Sequence, residues 1–167
     1  MPSILVHGLL IVAIGLLLNI KEMDLGLLLK EKVCIASGIS GVILRNGQPV
    51  PDLIVRRKLS WKSENWDEIE EIKTDPKGKF SFSTRWEKIR FKFMTQPAFI
   101  TEIDVQDDSL VEPIIFSTTK LAIEEYAEFD GIPNNFKCEL TDEIRKVDTK
   151  YGFIGTNCYW DLTNKED

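Results

Sequence analysis

Between residues 39 and 82, apolar and polar positions follow the two-residue period of extended strands and are broken by turn residues. Ile39-Ser40-Gly41-Val42-Ile43-Leu44 runs into Asn46-Gly47, the pair that most readily takes positive φ in a tight hairpin, and Leu53-Ile54-Val55 resumes the apolar run. Pro49 and Pro51 flank Val50 and assign it to an edge or a loop, because proline has no N–H to give a ladder. Thr74-Asp75-Pro76-Lys77-Gly78 is a second turn, in which proline presets φ, aspartate bonds back to the backbone and glycine takes the position that needs freedom. Lys79-Phe80-Ser81-Phe82-Ser83 then alternates, burying Phe80 and Phe82 on one face.

The same period predicts strands over 53–59, 68–74, 89–93, 99–105, 111–118, 136–140 and 157–160. Residues 60–67, with Trp61 and Trp66 among polar neighbours, read as a loop or an irregular edge. Residues 121–129 fit either a short helix or a strand, and Thr141 is placed to cap a helical turn reaching Val147. Short strands with turns at roughly 8–12-residue spacing predict an all-β fold. The expected architecture is an antiparallel β-sandwich of about seven strands with one short helix near the C-terminus. The sandwich domain is expected over residues 39–160, after a lead-in over 23–38 and before a polar, frayed tail over 161–167.

The first 20 residues carry no charged side chain, and from Ile4 to Ile20 only His7 and Asn19 are polar. That length is near the minimum for crossing a hydrocarbon core of about 30 Å. A cleaved leader is disfavoured, because no basic residue precedes the apolar run and no small-x-small site follows it. A lipoprotein anchor is disfavoured too, since Glu31-Lys32-Val33 precedes Cys34. Residues 1–22 therefore read as a membrane anchor, with a single inner-membrane span through residues 4–20. Lys21, Lys30 and Lys32 follow it and put the domain on the cytoplasmic side. If translation begins at Met23, the chain has no anchor and is expected to be soluble and cytoplasmic.

The turn-and-strand phrase Gly41-Val42, Asn46-Gly47-Gln48-Pro49-Val50, Val55 and Thr74-Asp75-Pro76-Lys77-Gly78-Lys79-Phe80-Ser81-Phe82 resembles the carboxypeptidase-regulatory-like, transthyretin-like β-sandwich domains. Lys32-Val33-Cys34-Ile35, Cys138-Glu139-Leu140-Thr141 and Cys158-Tyr159-Trp160 are similar to a group of proteobacterial proteins that carry this domain. The resemblance implies a transthyretin-like sandwich and a binding or spacer role. One branch, the 5-hydroxyisourate hydrolases, relies on histidines, an arginine and a C-terminal Tyr-Arg-Gly-Ser. Here the single histidine is His7, and the chain ends Asn164-Lys165-Glu166-Asp167, so that activity does not carry over.

Charge narrows the choice further. The 167 residues hold 27 acidic and 21 basic side chains, a net charge of -6, which opposes the counterion displacement that nucleic-acid binding needs. Three cysteines make no disulfide framework, and small buried thiols are favoured over a Cys138–Cys158 bridge, which would require an oxidising compartment. Glu124, Glu125 and Glu128, or Asp67, Glu68, Glu70 and Glu71, are dense enough to offer a carboxylate pair, though charge runs are usually solvated faces. Asp104, Asp107 and Asp108 match no EF-hand spacing and read as a polar turn. No cofactor and no metal is expected.

Protein recognition is the remaining function. Trp61, Trp66 and Trp86 in or beside expected loops suit interface anchors, and the acidic stretches 67–71 and 124–130 suit a basic partner. The expected binding residues are Trp61, Trp66, Asp67, Glu68, Trp86, Glu124, Glu125 and Glu128. The expected role is a non-catalytic protein-binding module, an immunity or interaction protein of a bacterial toxin or type VI secretion system. An envelope or carbohydrate-binding accessory domain is the alternative, and a carboxylate-based hydrolase the third reading.

Overall fold

The computed structural model describes residues 30–61, 66–90, 97–110 and 113–163. The expected anchor over 1–22, the lead-in as far as residue 29 and the last four residues of the tail lie outside them. Among the described residues, no helix is long and apolar enough to cross a membrane. The chain divides into two compact units, Met1–Lys32 with Lys88–Thr95, and Val33–Glu87 with Gln96–Asp167. The second holds the two large sheets and the core between them.

Thirteen strands make up the described fold: β1 (Lys30–Ala36), β2 (Ile39–Arg45), β3 (Gln48–Pro49), β4 (Ile54–Trp61), β5 (Trp66–Lys73), β6 (Lys79–Phe82), β7 (Arg85–Arg90), β8 (Phe99–Val105), β9 (Ile114–Lys120), β10 (Ile132–Glu139), β11 (Arg145–Thr149), β12 (Gly152–Thr156) and β13 (Cys158–Thr163). One sheet runs β13-β10-β2-β3, with β6 also on β2, and a second runs β11-β12-β9-β8-β4-β5. β1 and β7 form a two-stranded sheet. The protein is all-β, and the expected seven strands are too few. Turns at Asn46-Gly47 and Asp75 to Gly78 hold as read, with φ of 51° at Asn46, 75° at Gly47 and 69° at Gly78.

The core fills the space between the two large sheets. Ile39, Ile43, Phe80, Phe82 and Phe136 from one sheet meet Val55, Ile103, Phe116 and Ile154 from the other. Aromatic packing knits it together: Phe136 stacks on Trp160 at 5.4 Å and Phe116 lies 5.6 Å from Phe129.

Three expectations are corrected. First, the sandwich is not wholly antiparallel. β10 pairs with β2 in parallel, Phe136 opposite Gly41 through Glu139 opposite Leu44. The crossover after β9 delivers β10 in the same direction as β2, and strand period alone cannot show direction.

Second, no helix forms near the C-terminus among the described residues. Residues 121–131 are bends and turns, with φ of 64° at Tyr126 and 62° at Asp130. Their backbone groups bond outward: Ile123 O accepts the Cys34 N–H at 2.9 Å, and the Tyr126 N–H donates to Ser37 Oγ at 2.7 Å. A helix would need those groups internally. Residues 141–144 likewise turn without becoming helical, and β11 follows, paired along its length with β12.

Third, Cys138 and Cys158 are bridged, not free. They sit directly opposite each other in the β10–β13 ladder, an adjacency that a separation of 20 residues does not reveal. Cys34 is buried and unbridged, and burial pushes its thiol above the ordinary range despite the nearby Lys120 ammonium.

Glu139, at the end of β10, holds the β2–β3 turn. Its carboxylate accepts the N–H groups of Asn46 at 2.9 Å and Gly47 at 2.8 Å, and the Thr141 hydroxyl at 2.7 Å. Desolvation is the largest single influence and raises its pKa, but these donors together draw it below the ordinary value of 4.5. A carboxyl depressed in the folded state stabilises above its unfolded pKa, and that stability is lost as pH falls. Urea midpoints measured from about pH 6 down to about pH 3 are therefore expected to fall less steeply in Glu139→Gln than in the parent protein. Parallel curves would show that the turn does not depend on this charge.

Candidate functional site

The eight expected binding residues do not form one surface. Trp61 and Trp66 face each other at the last rung of the β4–β5 ladder, but Trp61 is buried against the Phe99 ring at 5.4 Å. Glu68 accepts two guanidinium bonds from Arg85, at 3.0 and 3.2 Å, and Glu125 takes the Thr84 hydroxyl. Glu128 is buried. Asp67, Glu124 and Trp86 are exposed, and Trp66 is half-buried.

Strand alternation explains the sorting. On β4, Val55, Arg57, Leu59 and Trp61 face inward, so the β5 residues opposite them (Ile72, Glu70, Glu68 and Trp66) share that face. The intervening β5 residues, Asp67, Ile69, Glu71 and Lys73, are exposed. β5 closes its sheet, leaving one backbone edge without a neighbouring strand in that sheet. Ile69 is 64% exposed there.

The register carries a charged row inward from Ile69: Lys58 lies beside it, Glu102 beside Lys58, and Ser117, Gly155 and Lys146 follow. Lys58 is held by Asp104 at 2.7 Å and Glu102 at 3.1 Å, and Arg56 by Asp104 at 2.8 Å. The hydrogen bonds that Lys58 donates to Asp104 and Glu102 raise its pKa above the ordinary value. Arg56 and Lys58 are thus committed to β8 carboxylates. Asp67 and Glu71 are left without an ion-pair partner among the described residues.

Behind this face lies a buried polar layer. Arg57, fully buried, pairs with Glu70, donates to the carbonyls of Ser37 at 3.2 Å and Ser83 at 2.7 Å, and lies 4.8 Å over the Phe82 ring. Lys120 pairs with Glu128 at 3.3 Å, and the other Glu128 oxygen accepts the Ser37 N–H at 3.1 Å. Burial lowers the Arg57 pKa, with Glu70 opposing. The sequence did carry a signal for this layer: Arg57 is in phase with Val55 and Leu59, so the strand period places a cation among apolar neighbours.

Lys120 Nζ is 3.5 Å from Ser37 Oγ, a pairing that resembles a hydroxyl beside a base. Glu128 holds this ammonium in an ion pair, and Ser37, Lys120 and Glu128 are all sealed from solvent. The cluster ties residues 121–131 to the β1–β2 turn. Asp104 is committed to Arg56 and Lys58, and Asp107 to Arg45 and Ser109. No group of three potential metal ligands occurs among the described residues.

A family model described as "Domain of unknown function (DUF6795)" matches residues 39–143, more than half of the chain, and the chain belongs to that family. Comparison with curated proteins and with solved structures returned no match.

Proposed function

We propose that this member of the family is a non-catalytic protein-binding module that engages its partner through the free edge and outer face of β5. Ile69 carries the reading: it is 64% exposed on an edge strand, between Asp67 and Glu71. A single exposed isoleucine is ordinary by itself. On an open edge, an added strand gains main-chain hydrogen bonds as well as apolar contact. Unpaired carboxylates on the same edge keep two copies of this chain apart and favour a basic partner. An immunity or interaction protein facing a basic toxin or secretion component has this chemistry.

The turns around β2, β3 and β6 support the transthyretin-like assignment, from which the parallel β10 departs. The Cys138–Cys158 bridge favours the oxidising side of a membrane, against the cytoplasmic placement suggested by Lys21, Lys30 and Lys32. We therefore place the domain outside the cytoplasm, anchored through residues 4–20.

A photo-crosslinking residue at Ile69 of the full chain, expressed with its neighbouring gene, tests the surface. One discrete adduct with a basic protein is expected, at least about tenfold weaker when Asp67→Lys and Glu71→Lys are added, since like charges across an interface are costly. Equal crosslinking from Ser81 on the other sheet, or indifference to the charge reversal, would remove β5 as the binding edge.

A further inference from the structure

Two cavities open where β10 leaves β2. The parallel ladder ends at Phe136 opposite Gly41. One residue earlier on β10, Asn135 takes φ of 52°, and the pairing with β13 slips between Asn134 and Lys137. Gly41 marks the last rung, since a Cβ there would meet Phe136 O at 2.5 Å. Past that rung, a cavity of about 450 Å³ opens beside Gly38, Thr84 and Tyr126, while one of about 690 Å³ runs back along the paired rungs beside Val42, Phe80 and Lys137. Ser40 and Asn135 line both, so the two adjoin and are treated together as one cleft. Each is of the size that binds small ligands.

The two halves differ chemically. The smaller is lined by short hydroxyls and amides from Ser40, Ser83, Thr84, Asn134 and Asn135. The larger brings Lys73, Lys79 and Lys137 around one carboxylate, Asp75. Asp75 already accepts the N–H groups of Lys77 at 2.8 Å and Lys79 at 2.9 Å. In a chain of net charge -6 this is a local positive excess, which focuses anions.

We propose that this cleft binds an acidic oligosaccharide, with its carboxylates at Lys73, Lys79 and Lys137 and its hydroxyls at the serine and asparagine side chains. An acidic peptide fits less well. Only Ile39 and Ser40 extend β2 past the last β10 rung, too short a stretch for an added strand to pair. The Asn134 and Asn135 amides already donate to Thr163 and Asp161, and Ser40 bonds Ser81, so a ligand dense in hydroxyls meets their remaining oxygen acceptors. A nucleic acid would need more cations than three lysines on an acidic protein. The site shares Lys73 with the outer face of β5 but uses none of Asp67, Ile69 and Glu71, and its test changes only Lys79, Asn135 and Lys137, so the two surfaces are tested separately.

The test is titration of the ¹⁵N-labelled full chain with tetragalacturonate, with tetraglutamate of matched charge and neutral cellotetraose for comparison. The expected result is amide shifts at Ser40, Ser81 and Asn135 and at least about tenfold tighter binding of tetragalacturonate than of either comparison ligand. Lys79→Glu with Lys137→Glu, both exposed in the parent, is expected to lower that affinity at least about tenfold with an otherwise unchanged amide spectrum, as removal of local field requires. Asn135→Gly keeps the left-handed backbone and is expected to weaken binding without loss of fold. Absence of shifts at those amides overturns the proposal, as does equal binding of tetraglutamate or of cellotetraose, or affinity that survives the charge reversal.

Discussion

Lys120→Met is expected to lower the free energy of unfolding by about 3–5 kcal/mol, because it strands the Glu128 carboxylate in a place that water does not reach. The two side chains are respectively 1% and 3% exposed and lie 3.3 Å apart. Against a total stability of about 5–15 kcal/mol for a domain of this kind, that is a large fraction. Glu128→Gln is expected to cost less, since an amide oxygen still accepts the Ser37 N–H while Lys120 loses its counter-charge. The double change Lys120→Met with Glu128→Leu is expected to cost less than the sum of the corresponding single changes, because replacing both charges removes the desolvation penalty along with the attraction. Urea unfolding of the parent, Lys120→Met, Glu128→Gln, Glu128→Leu and the double variant gives the answer. A loss under about 1 kcal/mol for Lys120→Met would mean that water enters the cluster and solvates Glu128, contrary to its burial.

Removing the Cys138–Cys158 bridge is the second large effect. It closes a loop across 20 residues, for which the chain-entropy model predicts about 3 kcal/mol. Cys138→Ala with Cys158→Ala, and the parent protein in reductant, are expected to lose similar amounts. Agreement between them separates the cross-link from any packing effect of the substitutions. The bridge is buried at the meeting of β10 and β13, beside the ladder that seats Phe136 and Trp160. Its loss is therefore also expected to raise amide exchange in β13, the terminal strand of its sheet, before the rest of the sandwich. An unfolding midpoint that ignores reductant would show two free thiols and withdraw the argument for an oxidising compartment.

The candidate surface was only partly readable in advance. Asp67 and Glu124 remain at the surface, but Glu68, Glu125 and Glu128 each meet a partner from a distant segment: Arg85, Thr84, and Lys120 with Ser37. Sequence distance hides such pairings. Polar neighbours make Trp61 read as part of a loop or irregular edge, whereas it is the inward end of β4. Ile69 drew no notice as an apolar member of an expected strand, since nothing in a strand pattern says which strand ends a sheet. The cleft is equally invisible in the chain, because it arises from β10 parting from β2 at one left-handed asparagine.

Taken by itself, the sequence determined the all-β class, the Asn46-Gly47 and Asp75 to Gly78 turns, and the inward face of β6. These follow from short-range physics: side chains alternate along a strand, and particular residues tolerate particular φ. Tertiary structure alone decided strand direction at β10, the bridge, the irregular path of residues 121–131 and the identity of the edge strand. Each depends on which distant backbone and side-chain groups finally meet, and a charged residue in phase with an apolar face, such as Arg57, becomes tolerable only once those partners are in place.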